Sequence, residues 1–188
     1  TRWQNYNDIP KHFIEIDGET LLARTVRLLR QGDPGCEVII TSHDPRYEVE
    51  GARRYEPKNN HLEIDRFTEE LIEDDICFLY GDTFYSEEAS KTIIDTEAED
   101  ILFFGNRRSI VAVKVADGSL FKKHVDRVRQ LYLDGKIEKC IGWQVYQSFM
   151  GLPFDEKRIE SKYVVLKDGT EDFNSPEDFD RRTKKKWE

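Results

Sequence analysis

Cysteine is scarce in this chain: three in 188 residues, at Cys36, Cys77 and Cys140. They are far apart, odd in number and without C-x-x-C spacing. This pattern excludes a disulfide framework and a cysteine-based zinc site. It reads as buried or partly buried thiols in a reducing compartment. No apolar run approaches the roughly 20 residues of a membrane-spanning helix. No signal-peptide pattern opens the sequence, so the expected location is the cytoplasm with no membrane partner. Basic charge is also short. Lys and Arg number 29 against 38 Asp and Glu, a net charge of -9. Nucleic-acid binding needs clustered Lys and Arg, and no nucleic-acid partner is expected. The one basic run, Arg181-Arg182 with Lys184-Lys185-Lys186, reads as a solvated helix end. The four histidines form no H-x-x-x-H pair and no Ser-His-Asp order, so covalent catalysis is not suggested.

Hydrophobic residues make up 38% of the chain and charged residues 36%. The length suits one domain over residues 1–188 with a single sizeable core. No internal repeat or long linker interrupts it. Five segments read as strands: Cys36 to Thr41, Ile76 to Tyr80, Asp100 to Gly105, Ser109 to Ala116 and Lys162 to Lys167. Three are near-continuous apolar runs, as in a sheet covered on both faces. Helical periodicity lies between them. Leu21, Leu22, Val26 and Leu29 share one face, and Leu62, Phe67, Leu71 and Ile72 another. Ser86 suits an N-cap, with Glu87 and Glu88 in the first turn. A further helix runs to a stop at Gly135, a shorter one spans residues 142–151, and the last starts at Ser175-Pro176. Alternating strands and helices predict an α/β fold of three layers, α/β/α and Rossmann-like. The sheet is expected to be mixed and mainly parallel, because Asn106 to Ser109 is short enough for a hairpin.

The stretch Ile76-Cys77-Phe78-Leu79-Tyr80-Gly81-Asp82 is a buried-type strand that delivers one carboxylate at its C-terminal end. Ligands of open α/β sheets bind beyond the carboxyl ends of strands. Gly81 permits close backbone approach to a ligand, and Asp82 can hold Mg²⁺, which takes one or two carboxylates plus substrate phosphates. A turn or helix-capping role for Asp82 is equally compatible with the local pattern.

The start of the chain adds a second signal. Thr1-Arg2, then Pro10-Lys11, then Ile16-Asp17-Gly18-Glu19-Thr20-Leu21-Leu22 resemble, in order, three motifs of the GT-A-like nucleotidyltransferases of the sugar-phosphate and cytidylyltransferase type. Leu79-Tyr80-Gly81-Asp82-Thr83-Phe84 resembles that family's metal-binding Gly-Asp. Glu171 to Arg182 resembles its closing segment. The family's first strand and Gly-rich loop are expected before Thr1.

The resemblance implies a GT-A-like fold and Mg²⁺-dependent transfer of a nucleoside monophosphate from an NTP to a phosphorylated small-molecule acceptor, with release of pyrophosphate. The nucleophile is already an anion, so the protein mostly positions groups and neutralises charge. Arg2 would grip triphosphate oxygens with its planar fork, and Lys11 would place a point charge on them. Asp82 would hold the metal, with Asp172 or Asn174 from the closing segment as a further ligand. Asn59 and Asn60 match a loop near the base or acceptor, although Asn60 also suits an N-cap. Arg107 and Arg108, on the hairpin, are candidates for the acceptor phosphate. Trp143 can wall the acceptor pocket or simply pack in the core. His12 can line the site beside Lys11. Two alternatives stay open: a GT-A glycosyltransferase using a nucleotide-sugar, and a non-catalytic nucleotide-binding relative. Self-association into a homo-oligomer is left open as well.

Overall fold

The structure is a computed structural model that describes residues 9–172. Arg2, Asn174 and the helix expected from Ser175 lie outside the described residues.

Near the start, β1 (Glu15–Ile16) and β2 (Glu19–Thr20) pair as an antiparallel hairpin. Asp17 and Gly18 form its two-residue turn with φ of 60° and 79°. Positive φ at both positions is the hairpin geometry that Asp-Gly favours. Thr20 then caps α1 (Leu21–Gly32) by accepting from the Ala23 N–H. Leu21, Thr25 and Leu28 are buried on one stripe of α1, and Leu22 and Val26 on the next. Leu28 thus takes the core position expected of Leu29, because the 3.6-residue repeat carries the Leu21 stripe to residue 28. The two stripes serve different clusters: Leu28 joins the sheet, whereas Leu22 and Val26 pack on Ile40. Ile40 belongs to β3 (Ile39–Thr41), which pairs in parallel with β4 (Arg53–Tyr55).

The main sheet has the order β5 (Ile76–Leu79), β8 (Ile110–Val115), β7 (Ile101–Gly105), β9 (Tyr163–Val165). It is mixed. The expectation of a mainly parallel sheet is corrected, because β8 is antiparallel to both β5 and β7 and only β7–β9 is parallel among the described pairings of this sheet. The cause is the hairpin. Asn106 accepts through Oδ1 from the Arg108 and Ser109 N–H groups, which turns the chain back so that β8 inserts between β7 and β5. One reversed strand breaks parallel pairing on both of its sides. β5, β7 and β9 still point the same way, so their carboxyl ends and the 106–109 hairpin share one end of the sheet.

The strands are apolar on both faces, as continuous runs require. One face packs Phe103, Val113 and Val115 against Phe121, Val125 and Val128 of α3 (Gly118–Leu133) and Val145 and Tyr146 of α4 (Gly142–Met150). The other packs Phe104, Val111 and Ala112 against Leu28 of α1 and Ile93 of α2 (Glu87–Asp95). Ser86 caps α2 by accepting from the Ala89 N–H. Lys114 extends from β8 to donate to the carbonyls of Ile93, Ile94 and Thr96, closing the C-terminal end of α2. All three cysteines are free, Cys140 buried and the other two partly so.

The helix expected from Asn60 to Asp74 does not form. The segment makes two 3₁₀ turns, Glu63–Arg66 and Glu69–Leu71. Asp65 is the reason: its Oδ2 turns back to accept from the N–H groups of His61 and Leu62, each at 2.8 Å. Such local side-chain bonds compete with an α-helical ladder. Ile64 and Phe67 drop into the core on either side of that turn. No helix among the described residues is long and apolar enough to cross a membrane.

Candidate functional site

The β5 strand ends in a tight turn. The Thr83 N–H donates to the Tyr80 carbonyl at 3.3 Å, placing Gly81 and Asp82 at its centre. Tyr85 braces the turn from beneath. Its hydroxyl donates to the Val111 carbonyl (2.6 Å), lies 3.1 Å from the Tyr80 carbonyl and accepts from the Tyr80 N–H (3.0 Å). The turn therefore hangs from the sheet by backbone bonds, and the Asp82 carboxylate projects from a fixed base.

Lys11 meets it there. Lys11 lies on a 3₁₀ turn, Lys11–Phe13, that follows Pro10. Its ammonium donates directly to Asp82 Oδ2, forming an ion pair across 71 residues of sequence. Burial alone would raise the Asp82 pKa. The Lys11 ammonium, together with smaller contributions from His12 and Arg66, outweighs burial and holds the carboxyl below the usual range. Asp82 is thus an anion with a single described hydrogen-bond donor.

His12 packs beside the pair. A Cβ built on Gly81 would come 3.1 Å from His12 Cδ2, so the glycine admits the imidazole against the turn. Nδ1 of His12 lies 2.7 Å from the Tyr47 hydroxyl, and Phe13 sets its ring edge-on to Tyr47. Burial pushes the His12 pKa down to about 4, the nearby Asp82 charge working against that and Lys11 and Arg66 with it. The ring is neutral at physiological pH.

Arg66 closes the other side. Its guanidinium carbon stands 4.5 Å over the Tyr80 ring, within the range of a cation–π contact. Arg66 Nε donates to the Glu63 carbonyl at 3.0 Å. Burial pushes the Tyr80 hydroxyl up to about 12, so it is a neutral phenol. Its oxygen sits against Gly142, where a Cβ would come within 2.2 Å, at the start of α4. Arg66, Tyr47 and Tyr80 carried no functional signal in the sequence. A cation three residues after Glu63 reads as a surface pair, and only the fold brings it over Tyr80, beside the Gly81-Asp82 turn.

The closing segment arrives at the same turn. β6 (Thr83–Phe84) pairs antiparallel with β10 (Glu171–Asp172), with Asp172 opposite Thr83. The backbone of Asp172 is therefore next to the residue that follows Asp82. Upstream, the Thr170 hydroxyl accepts from the Ser86 N–H at 3.2 Å, and Asp168 accepts from the Ser86 hydroxyl, tying the segment to the N-terminus of α2.

The structure thus brings Lys11, His12, Gly81 and Asp82 together, with the backbone of Asp172. Other candidates fall elsewhere. Asn59 and Asn60 are exposed. Asn60 caps no helix, because the 3₁₀ turn begins after Leu62 and Asp65 takes up the free N–H groups. Arg107 and Arg108 are exposed on the hairpin at the Asp82 end of the sheet. Trp143 is 4% exposed and packs on Tyr146 and Tyr163. It is a core residue with little surface to offer a substrate.

No group of three or more His, Cys, Asp or Glu side chains among the described residues can hold a metal. The donor chemistry still suits a hard cation in one way. Asp82 supplies a single anionic oxygen ligand, which fits Mg²⁺ only if phosphate oxygens complete the shell. No protein-family model, no curated protein and no solved structure matches this chain.

Proposed function

We propose that the protein is a nucleotidyltransferase that moves a nucleoside monophosphate from an NTP to a phosphorylated small molecule, a sugar phosphate or an alcohol phosphate. The observation that carries this reading is the Lys11–Asp82 pair at the carboxyl end of β5. Pro10-Lys11, Gly81-Asp82 and the Glu171–Asp172 segment are three of the motifs of the resemblance. They lie far apart in sequence and converge on one turn. We also read the two packed faces of the sheet as the outer layers of a GT-A-like α/β/α domain, working in the cytoplasm.

In the reaction, an oxygen of the acceptor phosphate forms a bond to the α-phosphorus of the NTP. The bond from that phosphorus to the β-phosphate bridging oxygen breaks, and pyrophosphate leaves with the electron pair. No proton need be removed from the nucleophile. The protein's share is therefore positioning and charge. Lys11 turns from Asp82 to the triphosphate oxygens. Asp82, freed from that partner, would hold the metal, with Asp172 as a proposed further ligand. Gly81 keeps the turn low beneath the phosphates, and neutral His12 walls it without adding charge. Arg2 and Asn174, outside the described residues, retain their proposed roles at the triphosphate and metal. Asp82, with Asp172 or Asn174, would hold Mg²⁺, which when bound would supply positive charge to offset the charge that develops on the phosphates.

The test uses the full-length protein with each of ATP, CTP, GTP and UTP, Mg²⁺ and a pool of phosphorylated acceptors, and measures pyrophosphate. Release that requires one nucleotide, an acceptor and Mg²⁺ is expected. Hydrolysis of a nucleotide-sugar with no release from any NTP would instead favour the glycosyltransferase alternative.

A further inference from the structure

We propose, on the nucleotidyl-transfer reading, that Arg66 is the residue that binds the acceptor's phosphate. Lys11 and Asp82 cancel each other's charge across their ion pair. The site still needs a cation for a second anion, because acceptor and NTP both bring phosphate.

Arg66 has the right setting. Its side chain is 36% exposed, so a solute can reach it. Its guanidinium carbon stands 4.5 Å from the Tyr80 ring centroid, a cation–π contact that holds the charge over the ring. The planar guanidinium carries N–H groups beyond the one on Nε, and that fork matches two phosphate oxygens. Nε–H is already committed to the Glu63 carbonyl, which orients the remaining edge. Among the described residues its ion-pair partner is Glu63, at 3.3 Å and itself 53% exposed. A solvent-screened pair of this kind is weak, and a phosphate dianion displaces it readily.

The turn that carries Arg66 is rigid before any ligand arrives. Asp65, its neighbour, accepts two backbone N–H bonds and one from Arg129 of α3. Little ordering cost therefore remains to be met on binding. Arg66 also stands beside the Gly81-Asp82 turn, because its guanidinium sits over Tyr80. Tyr80, the platform, is the residue immediately before that turn. Arg107 and Arg108, by contrast, are exposed on a hairpin, and neither has a comparable stacked support among the described contacts.

The test is a thermal-denaturation series with inorganic phosphate as the probe, ionic strength matched by chloride, on the wild type and on Arg66→Gln, Arg66→Lys and Arg108→Gln. Phosphate is expected to raise the wild-type midpoint, because a ligand that binds only the folded state stabilises it. Arg66→Gln should lose that rise, Arg66→Lys keep part of it, and Arg108→Gln keep all of it. A purely structural Arg66 would lower the midpoint in chloride and leave the phosphate increment unchanged, which overturns the assignment. So would a wild type with no rise. In pyrophosphate-release kinetics, Arg66→Gln should raise the acceptor KM about 10–100-fold, the scale of one hydrogen bond to a charged group, with the KM for NTP little changed. A phosphate increment that depends on Arg66 in a protein that releases no pyrophosphate keeps this site and rejects the transfer reaction. Release with an unaltered acceptor KM in Arg66→Gln does the reverse.

Discussion

Two carboxylates in this molecule are buried beside a cation, and they are built differently. Asp65 has a side chain only 3% exposed, and it accepts from two backbone N–H groups and from Arg129. Both of its oxygens are engaged, and the bonds hold a 3₁₀ turn against α3. Asp82 has a side chain 14% exposed and, among the described residues, takes one hydrogen bond, from Lys11. Its partner is a flexible ammonium rather than a planar fork. A saturated carboxylate is committed to the fold. An unsaturated one beside a mobile cation has lone pairs to give to something else. Burial and charge look alike at the two sites, and the number of fixed donors separates them.

The largest effect should come from breaking the saturated site. Asp65→Ala leaves Arg129 without its partner and two backbone N–H groups without an acceptor. A loss of about 3–5 kcal/mol is expected, read by chemical denaturation. Asp82→Ala should do the opposite: the protein stays folded because Lys11, itself 26% exposed, regains water, while turnover falls by about 10²–10³-fold, the scale of one preorganised electrostatic contact. Near-wild-type turnover in Asp82→Ala would show that the comparison has been drawn on the wrong residue.

A smaller effect sharpens the contrast at Lys11. In the absence of nucleotide the ammonium competes with a divalent cation for Asp82. Lys11→Met should therefore bind Mn²⁺ alone about tenfold more tightly than the wild type, since one adjacent unit charge is worth about 1–4 kcal/mol near a protein surface. Titration followed by electron paramagnetic resonance reads this without turnover. Unchanged Mn²⁺ affinity would mean that Lys11 does not guard the carboxylate.

The mildest effect is on pH dependence. His12 has a folded pKa of about 4 against an ordinary 6.5. The unfolded chain takes up a proton in that window and the folded protein does not. Stability is then complete above about pH 6.5 and declines towards pH 4, by at most one proton's linkage. The carboxyls of Asp65 and Asp82 are held low, so their contributions persist above their ordinary value of 3.8 and fade only below it. Denaturation midpoints across pH 4–7 should therefore slope in the wild type and flatten in His12→Gln. A slope that survives the substitution would assign it to other groups.

Local signals carried much of the architecture. The Asn106–Ser109 hairpin follows from a short polar turn between two apolar runs, and Asn106 closes it as an Asx turn does. Ser86 and Thr20 act as N-caps because their hydroxyls reach N–H groups three residues ahead. The Gly-Asp at the end of β5 was legible because a buried strand that ends in a carboxylate is a local anomaly. The segment from Asn60 to Asp74 was misread as a helix. Its apolar spacing is helical, but Asp65 satisfies the backbone by a different route, and that route depends on Arg129 more than 60 residues away.

Capping, the hairpin turns and the carboxylate that ends β5 were set by interactions within a few residues, where side-chain chemistry and spacing are sufficient causes. The sheet order, the His12–Tyr47 bond and the seating of Arg66 over Tyr80 were not. They arise where β8 inserts between β5 and β7 and where the Lys11–Phe13 and Glu63–Arg66 turns dock against one strand end. Those placements depend on which apolar faces find one another in the folded core, so no stretch of the chain encodes them alone.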